Sequence, residues 1–401
     1  MARLPSYLKT PKDCHVSDQK KKIKVVMVGG LPFDLLSVKG GVEAVILNLL
    51  AGLSNLPNME VAHIVFLKDA SQQRVVTYSR NVKVYFVPFK SRFPFIDYLV
   101  NHQPLRKIIQ DEKPDIIHIQ ESEPHLLRFL MYPKQNIVVT QHGIMREELK
   151  YAKGPKDNLK FLFKALIERF VFPLFQNVIF ISEYNRRLFK GELKNMEVIS
   201  NPVNPIFFNG IDRNEGSGNR SIIYVGVINR RKNIILIIEA LRKLKQHGIV
   251  YHLHVVGGYK EVAFESVLMG LIRQYDLSKQ IIFHGWLKQQ EILKVFDLCD
   301  YFVLPSLQET LPMSVAEAMA LGKIVIATDV GAVSEMLQDK STGFLFPCND
   351  VEGLVTLLKT FSNGVDPNLK PKIKKEAFEK YEPVEVASRT ERFYARVLST
   401  K

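Results

Sequence analysis

Two glutamates eight residues apart carry the strongest chemical signal in the sequence. Glu309 lies in a loop after a strand-like run ending at Pro305, and Glu317 lies in a segment of helical periodicity that starts near Pro312. A carboxylate accepts two hydrogen bonds side by side, which suits the vicinal hydroxyls of a sugar or ribose, and the free amides at a helix start suit an anion. The structural alternative is a capping box between Ser314 and Glu317, with Glu309 a solvated loop acid.

A second chemical signal is the basic loop in YVGVINRRKNIILIIEAL. A strand ends at Gly226, a helix begins near Asn233, and Arg231 and Lys232 lie just before that helix. Charge-assisted hydrogen bonds from such cations to a diphosphate contribute about 1.5 to 3 kcal/mol each. The segment therefore predicts a diphosphate clamp, and a solvated basic loop is the alternative.

Glycines and histidines follow strand-like runs in the first half of the chain. Gly40 and Gly41 precede a helix, where small residues let the backbone approach a phosphate or an acceptor; a simple tight turn is the alternative. His118 and His142 each follow a strand-like run. A histidine at a strand end is more often a structural hydrogen-bonder than a catalyst.

These residues need elements that bring them together, and the sequence supplies two series of short Val- and Ile-rich runs separated by helical patterns. The first series is 24–28, 61–67, 82–87, 115–119, 136–140 and 177–181, and the second is 221–227, 251–256, 280–285, 300–305, 323–328 and 342–346. Continuous apolar runs of this kind are typical of parallel strands covered on both faces. Pro, Gly and polar residues interrupt the pattern around residues 200–220.

This pattern predicts an α/β chain with two Rossmann-like, doubly wound parallel-sheet domains. We place the first domain at 23–204 and the second at 205–380. A basic extension forms residues 1–22, and a helix at 381–401 packs against one of the two domains. Ligands of such sheets bind at the carboxyl ends of the strands, so a central cleft between facing domains is the expected site.

The segment that contains Glu309 and Glu317 continues as AMALG, a Val- and Ile-rich run and then DVGA at 329–332. It resembles the Glu-x7-Glu signature of retaining glycosyltransferases of family 4, which have the GT-B fold. The resemblance covers most of the chain from about residue 23 to 400. It implies a donor sugar linked to UDP or GDP and bound mainly by the second domain.

The resemblance also implies roles for individual residues of the second domain. Glu309 would contact the transferred sugar, the amides of Thr310 and Leu311 its hydroxyls or phosphate, and Glu317 the ribose. The loop from Gly226 through Arg231 and Lys232 is similar to the phosphate-binding loop of the family. The sequence departs from the family pattern at two positions, where Pro312 and Val227 stand in place of a frequent Gly and a frequent Arg.

In the first domain, Gly40-Gly41-Val42-Glu43 is similar to a family loop near the diphosphate or the acceptor. His142 matches the family histidine that lines the cleft and contacts the donor sugar near the reacting carbon. The resemblance implies transfer of a hexose to a hydroxyl acceptor, saccharide or lipid-linked, with retention of configuration, in cell-surface polysaccharide or glycolipid synthesis. It implies no metal, and the sequence has no Asp-x-Asp motif. A nucleotide-sugar epimerase or a phosphorylase is the alternative.

Charge and composition limit the classes of partner that we expect the protein to bind. The formal net charge of +14 favours polyanions, and residues 157–175 form a helical pattern rich in Phe and Leu with Lys160, Lys164 and Arg169 interspersed. A basic amphipathic helix of this kind can lie at the surface of an anionic membrane, and packing in the core is the default interpretation. Nucleic acid is not expected, since the basic residues are scattered and no nucleic-acid-binding motif occurs. G-x-G-x-x-G is also absent, which argues against a dehydrogenase.

The expected location is the cytoplasm, at the inner face of the membrane where the chain contacts it. The three cysteines are odd in number and widely spaced, which is typical of a reducing compartment. No signal-peptide pattern and no apolar stretch long enough to span a bilayer occurs in the sequence.

Overall fold

The computed structural model describes residues 22–35, 40–67, 72–88, 103–120, 124–132, 135–150, 154–210, 220–259, 262–337, 341–362 and 364–400. The predicted basic extension therefore lies outside the described residues, apart from Lys22. The chain divides into two compact units, here called the first unit (residues 1–202 with 381–401) and the second unit (residues 203–380).

Each unit is built on a sheet of short, largely apolar strands. The first sheet contains β1 (Ile23–Val28), β2 (Met59–Leu67), β3 (Arg74–Ser79), β4 (Val82–Pro88), β5 (Ile116–Ile119), β6 (Ile137–Gln141), β7 (Asn177–Phe180) and β8 (Asn195–Val198). The second contains β9 (Ser221–Val225), β10 (His252–Val256), β11 (Ile281–Gly285), β12 (Tyr301–Leu304), β13 (Ile324–Thr328) and β14 (Phe344–Phe346).

Helices connect many of the strands. The first unit has α1 (Gly41–Ser54), α2 (Gln103–Glu112), α3 (Pro124–Phe129), α4 (Met145–Leu149), α5 (Gly154–Phe170) and α6 (Glu183–Leu188). The second unit has α7 (Ile234–Gln246), α8 (Val262–Gln274), α9 (Gln289–Asp297), α10 (Met313–Ala320), α11 (Val333–Met336), α12 (Val351–Phe361) and α13 (Leu369–Tyr381). A last helix, α14 (Pro383–Ser399), belongs to the first unit.

The first sheet has the order β3-β4-β2-β1-β5-β6-β7-β8 and is parallel except for β3, which pairs antiparallel with β4. Val25 and Met27 of β1 enter one apolar cluster together with α1 and α14, whereas Val26 and Val28 enter another with α2, α3 and α5. Successive strand side chains point to opposite faces, so helices cover both faces of this sheet.

The second sheet has the order β11-β10-β9-β12-β13-β14, with every neighbouring pair parallel. In both sheets the strand order reverses beside the first strand of the unit, at the β1–β5 pair and at the β9–β12 pair. The prediction of two doubly wound α/β domains is therefore confirmed.

Each of the predicted strand runs contains a strand, but β3 and β8 were not predicted. Both lie at the edges of the first sheet. β3 is largely exposed, and β8, with the sequence NMEV, contains polar as well as apolar residues. An edge strand has fewer covering neighbours, so it lacks the continuous apolar run by which the central strands were found.

Helix α14 packs against α1 at a point of very close approach. A Cβ atom on Gly52 of α1 would lie 2.0 Å from the carbonyl oxygen of Pro383 and 3.0 Å from the Cβ of Ala387. Apolar side chains of α14, among them Val386 and Phe393, belong to the same buried cluster as α1. The C-terminal helix thus forms part of the core of the first unit.

We expect Gly52→Ala to lower the free energy of unfolding by about 1 to 3 kcal/mol, because the added methyl group overpacks this contact. Urea unfolding followed by circular dichroism measures the change. Gly270→Ala is the matched control: Gly270 lies within α8, and a methyl group there would meet no described atom within 4 Å. The free energy of unfolding of this control should rise by about 0.4 to 1 kcal/mol. Equal effects in the two variants would contradict the close α1–α14 packing.

Candidate functional site

The strand order of the second sheet brings two loops together. β9 and β12 are neighbours although a long stretch of chain separates them. The basic loop follows β9 and the loop containing Glu309 follows β12, so both leave the same edge of the sheet. The amide of Leu307 donates to the carbonyl of Arg231 over 2.8 Å and joins the two loops directly.

Local capping fixes the basic loop. Residues Arg230–Lys232 form a 3₁₀ turn, and the side chain of Asn229 accepts a hydrogen bond from the amide of Lys232 at 3.0 Å. Asn233 then adopts a left-handed conformation with φ of 49°, which Asn tolerates better than most residues, and α7 begins at the next residue. Arg231 and Lys232 therefore precede α7 as predicted, in a defined turn.

Arg231, Lys232 and Glu309 form one ionic cluster. Nζ of Lys232 lies 2.5 Å from Oε1 of Glu309, and Nη1 of Arg231 lies 3.7 Å from Oε2 of the same carboxylate. The side chain of Glu309 is only 6% exposed, so the interpretation of this residue as a solvated loop acid is wrong. Two cations share one carboxylate, which leaves the cluster with a net positive charge.

Two glycines permit close backbone approach beside this cluster. Gly331 has φ of 60°, and a Cβ atom there would lie 1.6 Å from the carbonyl oxygen of Glu309. Gly257, which follows β10, lies against Gly226, whose carbonyl oxygen would be 2.0 Å from a Cβ on Gly257. No side chain fits at either position, so the loops carrying Gly226 and Glu309 are held by backbone packing.

Helix α10 begins directly after the glutamate loop. Its N-cap is Pro312, which has no side-chain cap hydrogen bond, so the capping-box alternative with Ser314 and Glu317 is wrong. Thr310 and Leu311 are half-buried in the loop before this helix start. Their amides therefore precede a helix N-terminus, where anions are stabilised.

Glu317 lies in the second turn of α10 and is not part of the ionic cluster. Its side chain retains some exposure, yet desolvation by the surrounding protein raises its pKa to about 8. At neutral pH the group is largely a neutral carboxylic acid, which can both donate to and accept from a hydroxyl.

Sequence reasoning missed two polar side chains beside Glu309. Oγ of Ser306 and Nε2 of Gln308 are buried and have no hydrogen-bond partner among the described residues. The backbone oxygen of Gln308 accepts from Nη1 of Arg231 at 2.9 Å. Buried polar groups are almost always satisfied, so these atoms suit contact with a polar ligand. Their signal in the sequence is only their position, just before Glu309 in the same loop.

In the first unit, His142 follows β6 and is half-buried, and its Nε2 lies 2.8 Å from Oε1 of Gln120. His118 is fully buried with both ring nitrogens hydrogen-bonded, as expected for a structural histidine. A cavity of about 20 Å³ is lined by residues that include His118, Gln120, Thr140 and His142. Sequence reasoning missed Gln120, which follows His118 by two residues and so lies on the same side of the strand end.

Gly40 and Gly41 stand at the start of α1. Gly40 is the N-cap, and its amide donates to the carboxylate of Glu43 at 3.1 Å. A Cβ atom on Gly41 would meet no described atom within 4 Å. The described part of the protein therefore does not require glycine at position 41, which leaves close approach of a ligand as an explanation.

Helix α5 has an exposed apolar face. Leu159, Leu162, Leu166 and Phe170 are exposed, whereas Phe161 and Phe163 are partly buried. Of the three predicted membrane cations, Lys160 and Arg169 are exposed. Lys164 is partly buried, and its contact with a membrane stays a prediction.

Two doubly wound α/β units, each built on a largely parallel sheet, form an architecture of the GT-B type, and a cationic cluster lies at the switch point of the second unit. A family model described as "Glycosyl transferases group 1" matches residues 211–380, and one described as "Glycosyltransferase Family 4" matches residues 39–206. Together they match most of the chain, which belongs to the glycosyltransferases of the GT-B fold. The predicted family resemblance is thus confirmed.

Individual relatives agree with this assignment. Amylovoran biosynthesis glycosyltransferase AmsK of Erwinia amylovora is 31% identical over 149 residues, which are 36% of this chain and 36% of AmsK. An Escherichia coli protein named UDP-Gal:alpha-D-GlcNAc-diphosphoundecaprenol alpha-1,3-galactosyltransferase is 24% identical over 296 residues, 69% of this chain and 74% of its own length. The chain spans only 30% to 39% of the length of the curated relatives that it matches at 31% to 32% identity.

A solved structure shares the fold over nearly the whole chain. HepE from Anabaena, crystallised in complex with UDP-glucose, has a TM-score of 0.66 and 17% identity, covering 94% of this chain and 100% of its own. At this level of identity the likeness concerns the fold.

Glu317 makes stability depend on pH. Its raised pKa means that the folded state keeps a proton that the unfolded state loses above about pH 4.5, so this stabilising contribution is full below that pH and is lost as the pH rises towards about 8. We expect Glu317→Gln to be more stable than the unmodified protein at about pH 9, with the advantage vanishing near pH 5. Thermal unfolding across this range measures it.

Glu60→Gln is the control, because Lys22 lowers the pKa of Glu60 instead. The difference between that variant and the unmodified protein should stay constant from about pH 6 to pH 9. A Glu317→Gln difference that is equally constant would show that Glu317 is ionised throughout.

Proposed function

We propose that the protein transfers a hexose from a UDP- or GDP-linked sugar to a hydroxyl acceptor, with retention of configuration. The observation that carries this proposal is the ionic cluster of the partly buried Arg231 and Lys232 with the buried Glu309, at the switch point of the second sheet. It combines positive charge for a diphosphate with a carboxylate for sugar hydroxyls.

The cluster fits both parts of such a donor. Arg231 and Lys232 bind the diphosphate, and the amides of Thr310 and Leu311 add donors at the start of α10. Glu309 exchanges its contact with Lys232 for hydroxyls of the sugar, so the cation is released towards the phosphate. Glu317, on α10 in the same unit, holds the ribose.

During transfer, the bond between the anomeric carbon and the phosphate oxygen breaks, and a bond to the acceptor oxygen forms on the same face. The acceptor proton passes to the departing phosphate. The leaving diphosphate gains negative charge, which Arg231 and Lys232 stabilise. These two cations carry the charge stabilisation, so we propose that catalysis needs no metal. His142 of the first unit contacts the transferred sugar near the reacting carbon, and Gly40 and Gly41 approach the diphosphate or the acceptor.

The relatives support transfer over the alternatives. AmsK and the diphosphoundecaprenol galactosyltransferase are named as transferases of polysaccharide or lipid-linked saccharide synthesis, which favours a similar role and disfavours an epimerase or a phosphorylase. The HepE complex with UDP-glucose supports UDP as the first donor nucleotide to test. Calorimetric titration with UDP and GDP distinguishes the two bases.

We further propose that α5 binds the surface of an anionic membrane, which suits a lipid-linked acceptor. Leu159, Leu162, Leu166 and Phe170 follow helical spacing along one face and are 45% to 69% exposed. Arg169 is exposed beside this stripe. None of the helices that the structure describes is long and apolar enough to cross a bilayer. The contact is therefore interfacial, with apolar side chains inserted and cations at the headgroups.

We expect Lys232→Ala and Glu309→Gln each to lower the transfer rate by about 10² to 10³, the scale for removal of one preorganised electrostatic contact. The assay measures nucleotide release with and without an acceptor. Lys245→Ala is the control, because Lys245 forms an exposed ion pair with Asp276 in the same unit, and it should retain full activity. Near-normal transfer in both site variants would refute the site assignment.

For the membrane face, we expect the double variant Leu162→Ser and Leu166→Ser to bind phosphatidylglycerol vesicles at least about 10-fold more weakly, since apolar area no longer leaves water. Vesicle sedimentation measures the partition. Val267→Ser removes a comparably exposed side chain from α8 and should bind normally. Unchanged binding by the double variant, or equal binding to neutral phosphatidylcholine vesicles, would contradict this proposal.

A further inference from the structure

A hydrogen-bonded network runs from the C-terminal helix to the candidate histidine of the first unit. The hydroxyl of Tyr394 in α14 lies 2.6 Å from Nδ1 of His118, and Nε2 of His118 lies 2.7 Å from Oγ1 of Thr140. Both ring nitrogens are thus engaged by hydroxyl groups, which fixes the imidazole of His118 in its plane. Tyr394, His118 and Thr140 are all buried.

Gln120 joins this fixed ring to His142. Its amide nitrogen Nε2 lies 3.4 Å from Nδ1 and 3.3 Å from Nε2 of His118. It therefore packs against the imidazole ring and forms no strong hydrogen bond to either ring nitrogen. Its oxygen Oε1 lies 2.8 Å from Nε2 of His142. The amide of Gln120 therefore has its nitrogen towards His118 and its oxygen towards His142.

The backbone of Gln120 is equally constrained. Its amide donates to the carbonyl of Val28 at 2.8 Å, and its Cβ would be 3.0 Å from a Cβ on Gly29. The side chain is 1% exposed, so it has little room for another rotamer. Both ends of the residue are therefore held by the protein.

An amide oxygen only accepts hydrogen bonds, so Nε2 of His142 must carry a hydrogen to pair with Gln120. In the neutral imidazole, Nδ1 is then the nitrogen that accepts. The ring of His118 is itself uncharged at physiological pH, because burial lowers its pKa to about 3. The network therefore orients His142 without placing a positive charge beside it.

We propose that Gln120 is a positioning residue that holds His142 in its Nε2–H tautomer, and that His118, anchored by Tyr394 of the C-terminal helix, holds Gln120 in place. The consequence for transfer rests on the proposed function of His142. The tautomer itself is a property of the protein alone.

The test replaces Gln120 by Met, which has a similar length but no amide oxygen. In ¹⁵N spectra of histidine-labelled protein, His142 should change from the single Nε2–H tautomer to a mixture of tautomers. The kcat of transfer should fall by about 10 to 100-fold, the scale for misplacing one contact at the reacting centre. The dissociation constant for UDP should not change, because the proposed nucleotide site lies in the other unit.

Two further variants separate positioning from simple destabilisation. Gln120→Glu keeps an acceptor, so it should retain the Nε2–H tautomer while its carboxylate raises the pKa of His142, which a pH titration of the same spectra detects. Tyr394→Phe should loosen His118 and lower kcat less than Gln120→Met does. Tyr251→Phe removes an equally buried hydroxyl, which donates to the carbonyl of Leu358 at 2.7 Å in the second unit, and should leave kcat unchanged.

A single Nε2–H tautomer and an unchanged kcat in Gln120→Met would overturn the proposal. A change of tautomer in a protein that shows no transfer with any nucleotide sugar would instead refute the proposed function and leave the positioning intact. Equal losses of kcat in Tyr251→Phe and Tyr394→Phe would show that the effect is general destabilisation and would count against the role of the C-terminal helix.

Discussion

The adjacency of β9 and β12 is the constraint on which the candidate site depends. These parallel strands are neighbours, so the loops at their carboxyl ends meet, and Lys232 and Glu309 pair although 77 residues separate them in the chain. Removing one partner of a nearly buried ion pair leaves an uncompensated charge, which costs several kcal/mol. The two side chains therefore stabilise each other, and a ligand that separates them must supply equivalent partners for both.

The fold could be predicted from the sequence because most of its strands are central. Val25, Met27, Val26 and Val28 face two different cores, and a strand buried on both faces must be apolar throughout. β3 and β8 obey a weaker constraint, since each has only one neighbouring strand. Their composition reflects an exposed edge, and no periodicity in the sequence distinguishes such a segment from a loop.

The candidate site was predictable in its charged residues and not in their polar neighbours. Glu309 was found because it belongs to the Glu-x7-Glu pattern, and Arg231 and Lys232 because they lie in a basic loop between a strand-like run and a helix. Gln308 and Gln120 resemble any other polar residue until the fold shows that they are buried beside that charge or beside His142. Helix α5 posed a related difficulty, since apolar residues occur around much of its circumference and the sequence does not say which arc faces the core.

The proposed reaction requires different charges at the candidate residues of the two units. In the proposed transfer, a leaving diphosphate would require cations, and the second unit has Arg231 and Lys232 against a single carboxylate. Near an anomeric carbon that becomes positively charged in that reaction, an additional cation would be unfavourable. His142 is oriented by a neutral amide, and the amide rests on an imidazole whose burial keeps it neutral. Because the anchor of that imidazole, Tyr394, comes from the last helix, 276 residues beyond His118, the orientation of His142 requires the C-terminal segment to be folded.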